Sequence, residues 1–219
     1  MTVAAQSIVR DAQEALQDLA GIRYPASDLV RYLNAGQVVI VINRPEQTAT
    51  TETLTLVEGP DQTLPAKFAA FIDIPRNTEG RRLAVRKVDQ DDLDASAPGW
   101  YGMASASEIE HYCYDLKDPR AILSYPPAKA GTKVQLVGAL YPTEVPATSG
   151  NGRAYTTVSG NIGLADQWRE ALLCYCLHRA LAKDASDAGN AALSGGYLTK
   201  FNALVGIQQP AAKAVVAKE

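Results

Sequence analysis

Residues Thr51–Gly59, TETLTLVEG, set apolar against polar side chains at nearly every second position. That period of two belongs to an extended strand with one covered face, not to an amphipathic helix. The chain before it reads differently. From Ala4 to Leu19 the apolar residues Ile8, Val9, Ala12, Ala15, Leu16 and Leu19 lie close to helical spacing, and Gly21 is placed to end the segment. A second helix is expected after YPASD, with Ser27 as its N-cap and Leu29, Val30, Leu33, Val38, Ile40 and Val41 on a broad apolar face. Pro45 stops it. The short connection GIRYPAS makes the two helices packing neighbours.

Beyond Gly59 the strand pattern continues. FAAFIDI is less regular, whereas RRLAVRKV puts Leu83 and Val85 on one face and Arg82, Ala84 and Arg86 on the other. DQDDLDASAPGW reads as a short helix with an acidic first turn. HYCYDLK, AILSYPP and TKVQLVGALYP are further strands, the last two joined by the turn-rich PPAKAGT. Thr143–Gly160 is rich in Gly, Ser, Thr and Pro and reads as a long mobile loop or hairpin arm. Helical spacing returns at Ile162–Lys183, apolar over most of its circumference between Ala171 and Ala182. A last helix near Ser186–Val205 places Leu193, Tyr197, Phe201 and Leu204 on one stripe, with Gly206 as its C-cap. The expectation is an α+β fold in one domain, residues 1–207. Its terminal helical parts, about 4–45 and 162–207, pack as a bundle around an inserted antiparallel β region at about 50–142, with the loop at 143–160. A flexible tail, 208–219, follows.

The 219 residues are 47% hydrophobic, enough for a core without disulfides or metal. Twenty-one basic against 24 acidic residues give a net charge of −3, which argues against a protein whose main work is gripping nucleic-acid phosphates. Three cysteines, two of them in an apolar run, point to a reducing compartment. The start, MTVAAQSIVRDAQEAL, lacks the features of a signal peptide, and VVIVI at Val38–Ile42 is far short of a bilayer span. We therefore expect a soluble protein with no membrane partner.

Few residues offer chemistry. Cys174, Cys176 and His178 spell C-x-C-x-H, but on a helix Cys176 points nearly opposite the other two, so buried packing is the better account than zinc. Asp89, Asp91, Asp92 and Asp94 fail the calcium-loop pattern at positions five, six and twelve. Gly150 and Gly152 lack the Lys-Ser/Thr ending of a phosphate-binding loop. His111 and His178 stand outside any hydrolase signature. Arg81, Arg82, Arg86 and Lys87 form the densest basic cluster, either an exposed strand face or a contact for phosphate or protein, with Arg82 and Arg86 its candidate residues. Trp100, Tyr101, Tyr112, Tyr114 and Tyr125 are core or interface anchors. No catalytic, cofactor-binding or metal-binding residue is expected. The rival from another class is a small-ligand enzyme using His111 with Asp115 or Cys113.

Four strings in this order, YPASDLVRYLNAGQVVIV, RRLAVRKVDQDDLDASAPGWY, HYCYDLKDPRAILSYPPAKAGTKVQLVGALYP and LCYCLHRALAKDASDAGNAALSGGYLTKFNALVGI, resemble the head-to-tail adaptor proteins of tailed bacteriophages. The likeness covers roughly Asp11 to Ile207. Its most distinctive elements are Asp115, Pro119, Tyr125, Pro126, Pro127 and Gly131, followed by Arg179, Ala180, Lys183 and Asp184. The resemblance implies a structural virion protein at the capsid-tail junction. It would form a ring, usually of twelve copies, beneath the portal protein and extend the channel through which double-stranded DNA passes. A tail-tube gatekeeper or tail-completion protein is the alternative within that class. The tail, with Ile207, Val215 and Val216, is the expected portal-docking segment. The loop residues Asn151, Arg153 and Tyr155 are expected to meet the next neck or tail component or a neighbouring copy.

Overall fold

The computed structural model describes residues 3–183 and 187–207. The fold is α+β, in two compact units: one built from the two ends of the chain, up to Arg44 and from Pro142 onward, the other spanning Pro45–Tyr141.

The first unit is helical. It contains α1 (Ala5–Ala15), α2 (Ala26–Asn43), α4 (Arg169–Ala182) and α5 (Ala188–Val205), while α3 (Gln90–Ser96) belongs to the second unit. Helix α4 packs against the other three, which is why its sequence is apolar on nearly every side. Ile8, Val9 and Ala12 of α1, Leu29, Leu33 and Ile40 of α2, and Phe201 and Val205 of α5 are all buried. Gly36 allows α2 to approach α4, because a Cβ there would sit 2.9 Å from the Tyr175 ring. The terminal helices thus pack as the expected bundle.

Three helix ends differ from expectation. Helix α1 stops at Ala15, before Leu19, because the chain turns through Gln17 at φ 54° and the Asp18 carboxylate accepts the N–H groups of Ile22, Arg23 and Tyr24 at 3.0, 2.8 and 2.8 Å. Ser27 does not cap α2. It lies inside the helix, and the N–H groups of Ala26 and Ser27 instead donate to the Arg153 and Gly152 carbonyls at 2.8 and 2.9 Å. Residues 162–165 are not helical. Gly163 presses against the Thr143 backbone, where a Cβ would lie 2.6 Å from both N and O, and a 3-10 turn at Asp166–Trp168 precedes α4.

Burial pushes the Asp18 carboxyl up, but the four backbone N–H groups of Tyr24, Ile22, Arg23 and Gly21 outweigh it and hold it below its ordinary value of 3.8. A depressed carboxylate stabilises the fold above its ordinary value and loses that contribution as pH falls through the folded-state value. Asp18→Asn is expected to cost about 1 kcal/mol at pH 7. Denaturant titrations at pH 7 and pH 3 should show the gap between wild type and variant closing in acid; a constant gap would mean the carboxylate charge is irrelevant.

The second unit holds seven strands: β1 (Ala49–Thr55), β2 (Gly59–Thr63), β3 (Phe68–Asn77), β4 (Arg86–Lys87), β5 (His111–Cys113), β6 (Ala121–Ala128) and β7 (Lys133–Leu140). They form a three-stranded sheet in the order β1-β7-β3 and a four-stranded sheet in the order β2-β6-β5-β4. Pairing is antiparallel, as expected, except for the two-residue pair of β4 with β5, which is parallel. RRLAVRKV supplies only Arg86 and Lys87 as a ladder, plus an isolated bridge from Ala84 to Arg76, because Arg82 takes φ 53° and breaks the extension. Only Val85 of that string is buried. The irregular FAAFIDI is explained by three register shifts of β3 against β7. Leu56, Leu64, Phe68, Ile74, Ile109, Ile122 and Leu136 make one core within the unit.

Candidate interaction surfaces

In the helical unit, residues 143–160 contain no strand and are tied down along their length. Three buried or half-buried carboxamides do this. Asn34 clamps Val145, donating from Nδ2 to its carbonyl at 3.0 Å and accepting its N–H at Oδ1 at 2.8 Å. Gln37, fully buried, accepts the Gly163 N–H at 2.6 Å and reaches the Thr143 carbonyl at 3.5 Å. Gln13, also fully buried, donates to the carbonyls of Tyr24 and Arg153 at 3.0 and 2.8 Å and accepts the Tyr155 N–H at 2.9 Å. Val145 and Val158 are buried beside them. The long loop expected here is present and forms no hairpin arm: Gly, Ser and Pro composition marks missing regular structure, and the amides supply the partners that a ladder would otherwise give.

This anchoring decides what the loop presents. The Arg153 carbonyl is used internally while its side chain is exposed. Asn151 is exposed and accepts the Arg153 N–H at 3.1 Å, and Tyr155 is half-buried. Ile207 is half-buried just after the left-handed Gly206 cap of α5, its N–H on the Asn202 carbonyl at 2.8 Å. Val215 and Val216 lie outside the described residues.

Helix α5 carries one charge, Lys200, in 18 residues. Yet of its expected apolar stripe only Phe201 is buried; Leu193 is 56% and Leu204 45% exposed. Leu193 and Tyr197 border a cleft of about 500 Å³ whose other walls include Leu177 and Leu181 of α4 and Ile22. Ile22 is 78% exposed. Lys200 lies on the same side of the helix, seven residues after Leu193, and pairs with Glu170 at 2.6 Å, so Leu193 and Leu204 stand as exposed apolar side chains beside one paired charge.

In the β unit the basic residues are not gathered. Arg81 pairs with Glu108 at 3.2 Å, and the Lys87 ammonium sits 6.0 Å above the Tyr114 ring. Arg82 and Arg86 are exposed and make no ion pair among the described residues. Most aromatics are core: Trp100 and Tyr112 are buried, Trp100 donating to Asp94 at 2.6 Å and Tyr112 to Asp73 at 2.7 Å. Tyr101 is half exposed and donates to Asp61.

The arrangement around His111 does not assemble a reacting group. Its ring stacks on Tyr125 at 5.8 Å, and its buried Nδ1 has no hydrogen-bond partner among the described residues. Asp115 is engaged with Lys117 instead. Cys113 packs with Leu93 and Trp100, and burial pushes its thiol above the ordinary value. Nor do Cys174, Cys176 and His178 converge. Cys176 is buried against the Leu29 carbonyl, its thiol pushed up to about 12 by desolvation, while His178 Nδ1 meets Ser194 at 3.0 Å. Among the described residues no group of His, Cys, Asp or Glu is arranged to hold a metal ion. No helix among them is long and apolar enough to cross a membrane. The Asp89 carboxylate caps α3, accepting the Asp91 N–H at 3.2 Å.

The family model described as SU10 adaptor protein matches residues 2–217, nearly the whole chain. No curated protein matches it.

Proposed function

Because the chain belongs to the SU10 adaptor protein family, a family of bacteriophage structural adaptors, we propose that it forms a closed ring beneath the portal at the capsid-tail junction and lengthens the DNA channel. The family match over residues 2–217 carries this reading. A ring of about twelve copies needs two different complementary surfaces on each subunit. The open, nearly uncharged face of α5 around Leu193 and Leu204 suits one of them, and the anchored loop presenting Asn151 and Arg153 suits contact with a neighbouring copy or the next neck component. Ile207 and the residues after it suit docking on the portal, each weak contact being multiplied around the ring. A net charge of −3 is compatible with passage of duplex DNA. In this reading the protein acts by shape and makes or breaks no bonds.

Leu193→Glu tests the ring. The side chain is exposed, so the melting temperature should stay within a few degrees of wild type. Native mass spectrometry of the protein mixed with portal should find a ring for wild type and monomers for the variant. Rings that persist in the variant would remove α5 from the interface; monomers in both would remove the ring itself.

A further inference from the structure

Four strand edges bound the two sheets: β1 and β3 in one, β2 and β4 in the other. Proteins blunt such edges, because an open row of N–H and C=O groups is a template for another strand. Three of the four are blunted here. Strand β2 contains Pro60, and its register slips between Gly59 and Asp61. Strand β3 contains Pro75, slips three times and is bridged through Arg76 to Ala84. Strand β4 is two residues long, and both are charged.

Strand β1 has none of these devices. Its seven residues run in unbroken register with β7, from Ala49 opposite Ala139 to Thr55 opposite Lys133. Its one charged residue, Glu52, is engaged by Lys67. The Leu56 N–H donates to the Thr132 carbonyl and the Leu56 carbonyl accepts the Gly131 N–H, which fixes the phase of the ladder. Leu54, Glu52 and Thr50 therefore face β7, and Thr51, Thr53 and Thr55 direct their backbone groups away from it. All three threonines are exposed, and no backbone hydrogen bond uses their outward groups among the described residues.

We infer that β1 is a docking edge for an extended strand contributed by a different virion protein, which joins the three-stranded sheet through the backbone of Thr51, Thr53 and Thr55. Donors and acceptors alternating at strand spacing match another extended backbone and little else. A second copy of this chain is a poor occupant. Among the described residues its other edges are blunted, so the open strand edge it can offer there is its own β1, and β1 against β1 is a two-fold contact that closes at two copies. The neutral threonine row, with its one carboxylate already paired, selects an uncharged strand rich in β-branched residues. The inference rests on the adaptor reading only for placing the partner in the virion.

Residue-resolved hydrogen exchange tests it, on the free protein and on purified particles of the phage that carries it. In the free protein the Thr51, Thr53 and Thr55 amides should exchange roughly 100-fold faster than those of Thr50, Glu52 and Leu54. In the particle they should slow at least about tenfold. Thr53→Pro removes the central outward donor and no bond to β7, so it should keep the fold and lower incorporation into particles, while Thr53→Val should behave as wild type. Outward amides that stay fast in particles containing the protein would overturn the docking edge and leave the adaptor reading standing. Absence of the protein from particles would overturn the adaptor reading instead. A dimer of the free protein that Thr53→Pro dissolves would assign the edge to a second copy and overturn the choice of partner. Should Thr53→Pro fail to fold, the exchange of the wild-type amides still decides.

Discussion

Replacing Gln13 by Leu should destabilise the helical unit by about 3–5 kcal/mol, despite the near-equal size of the side chains and the gain in hydrophobicity. The carboxamide is fully buried and satisfies three backbone groups, the carbonyls of Tyr24 and Arg153 and the N–H of Tyr155. Without it the Tyr24 carbonyl and the Tyr155 N–H lose this partner and the Arg153 carbonyl loses one of two, and each group left unsatisfied costs about 1–3 kcal/mol. The Arg153 carbonyl also accepts the Ala26 N–H, so the damage should spread to the start of α2. Denaturant unfolding measures the loss, and limited proteolysis should cut Leu-variant chains first between residues 143 and 160. A variant within 1 kcal/mol of wild type would mean that Asn34, Gln37 and the buried Val145 and Val158 hold the loop without Gln13.

Asn77→Leu should cost the β unit a similar amount, about 3–4 kcal/mol. Asn77 is 1% exposed and clamps Ile109, donating to its carbonyl at 2.8 Å and accepting its N–H at 3.0 Å. It also donates from Nδ2 to the Leu83 carbonyl at 3.2 Å. One amide thus joins the end of β3 to the segment that leads into β5, where a ladder is absent. Asn77→Asp keeps the acceptor but removes two donors and buries a carboxylate, so it should be worse than Asn77→Leu near neutral pH and recover in acid. Equal stability of the two variants at pH 7 would contradict the clamp.

These two residues mark where sequence reading succeeded and where it failed. Periodicity carried the helix-strand-helix order, because apolar burial at period 3.6 or 2 is a property of each segment alone. Thus α2, α4, α5, β6 and β7 were legible, as were the Gly206 cap and the Asp89-headed short helix. What failed depended on distant partners. Ser27 looked like a cap, but Gly152 and Arg153, over 120 residues away in the chain, already satisfy the helix start. Residues 143–160 looked free because their anchors sit on α1 and α2. A signal did exist: Gln13 and Gln37 fall on the apolar faces of their helices, beside Val9 and Leu33, where an amide must find buried partners. The strand edge at β1 was half legible. TETLTLVEG announced the strand, but only the sheet order put it on the outside, with the other three edges blunted.

Of the candidate sites, Asn151, Arg153, Arg82 and Arg86 are exposed, as a contact role requires, and Tyr155 and Ile207 are half-buried. The α5 stripe divides: Phe201 is buried, whereas Leu193 and Leu204 are exposed, because spacing alone cannot tell which residues of an apolar stripe the rest of the chain covers.

The most direct test of the central claim is electron microscopy of purified particles carrying a bulky label fused to this protein. The account predicts label density encircling the channel at the junction of capsid and tail and nowhere else. Label on the capsid faces or the distal tail, or particles of normal form that lack the protein, would contradict it.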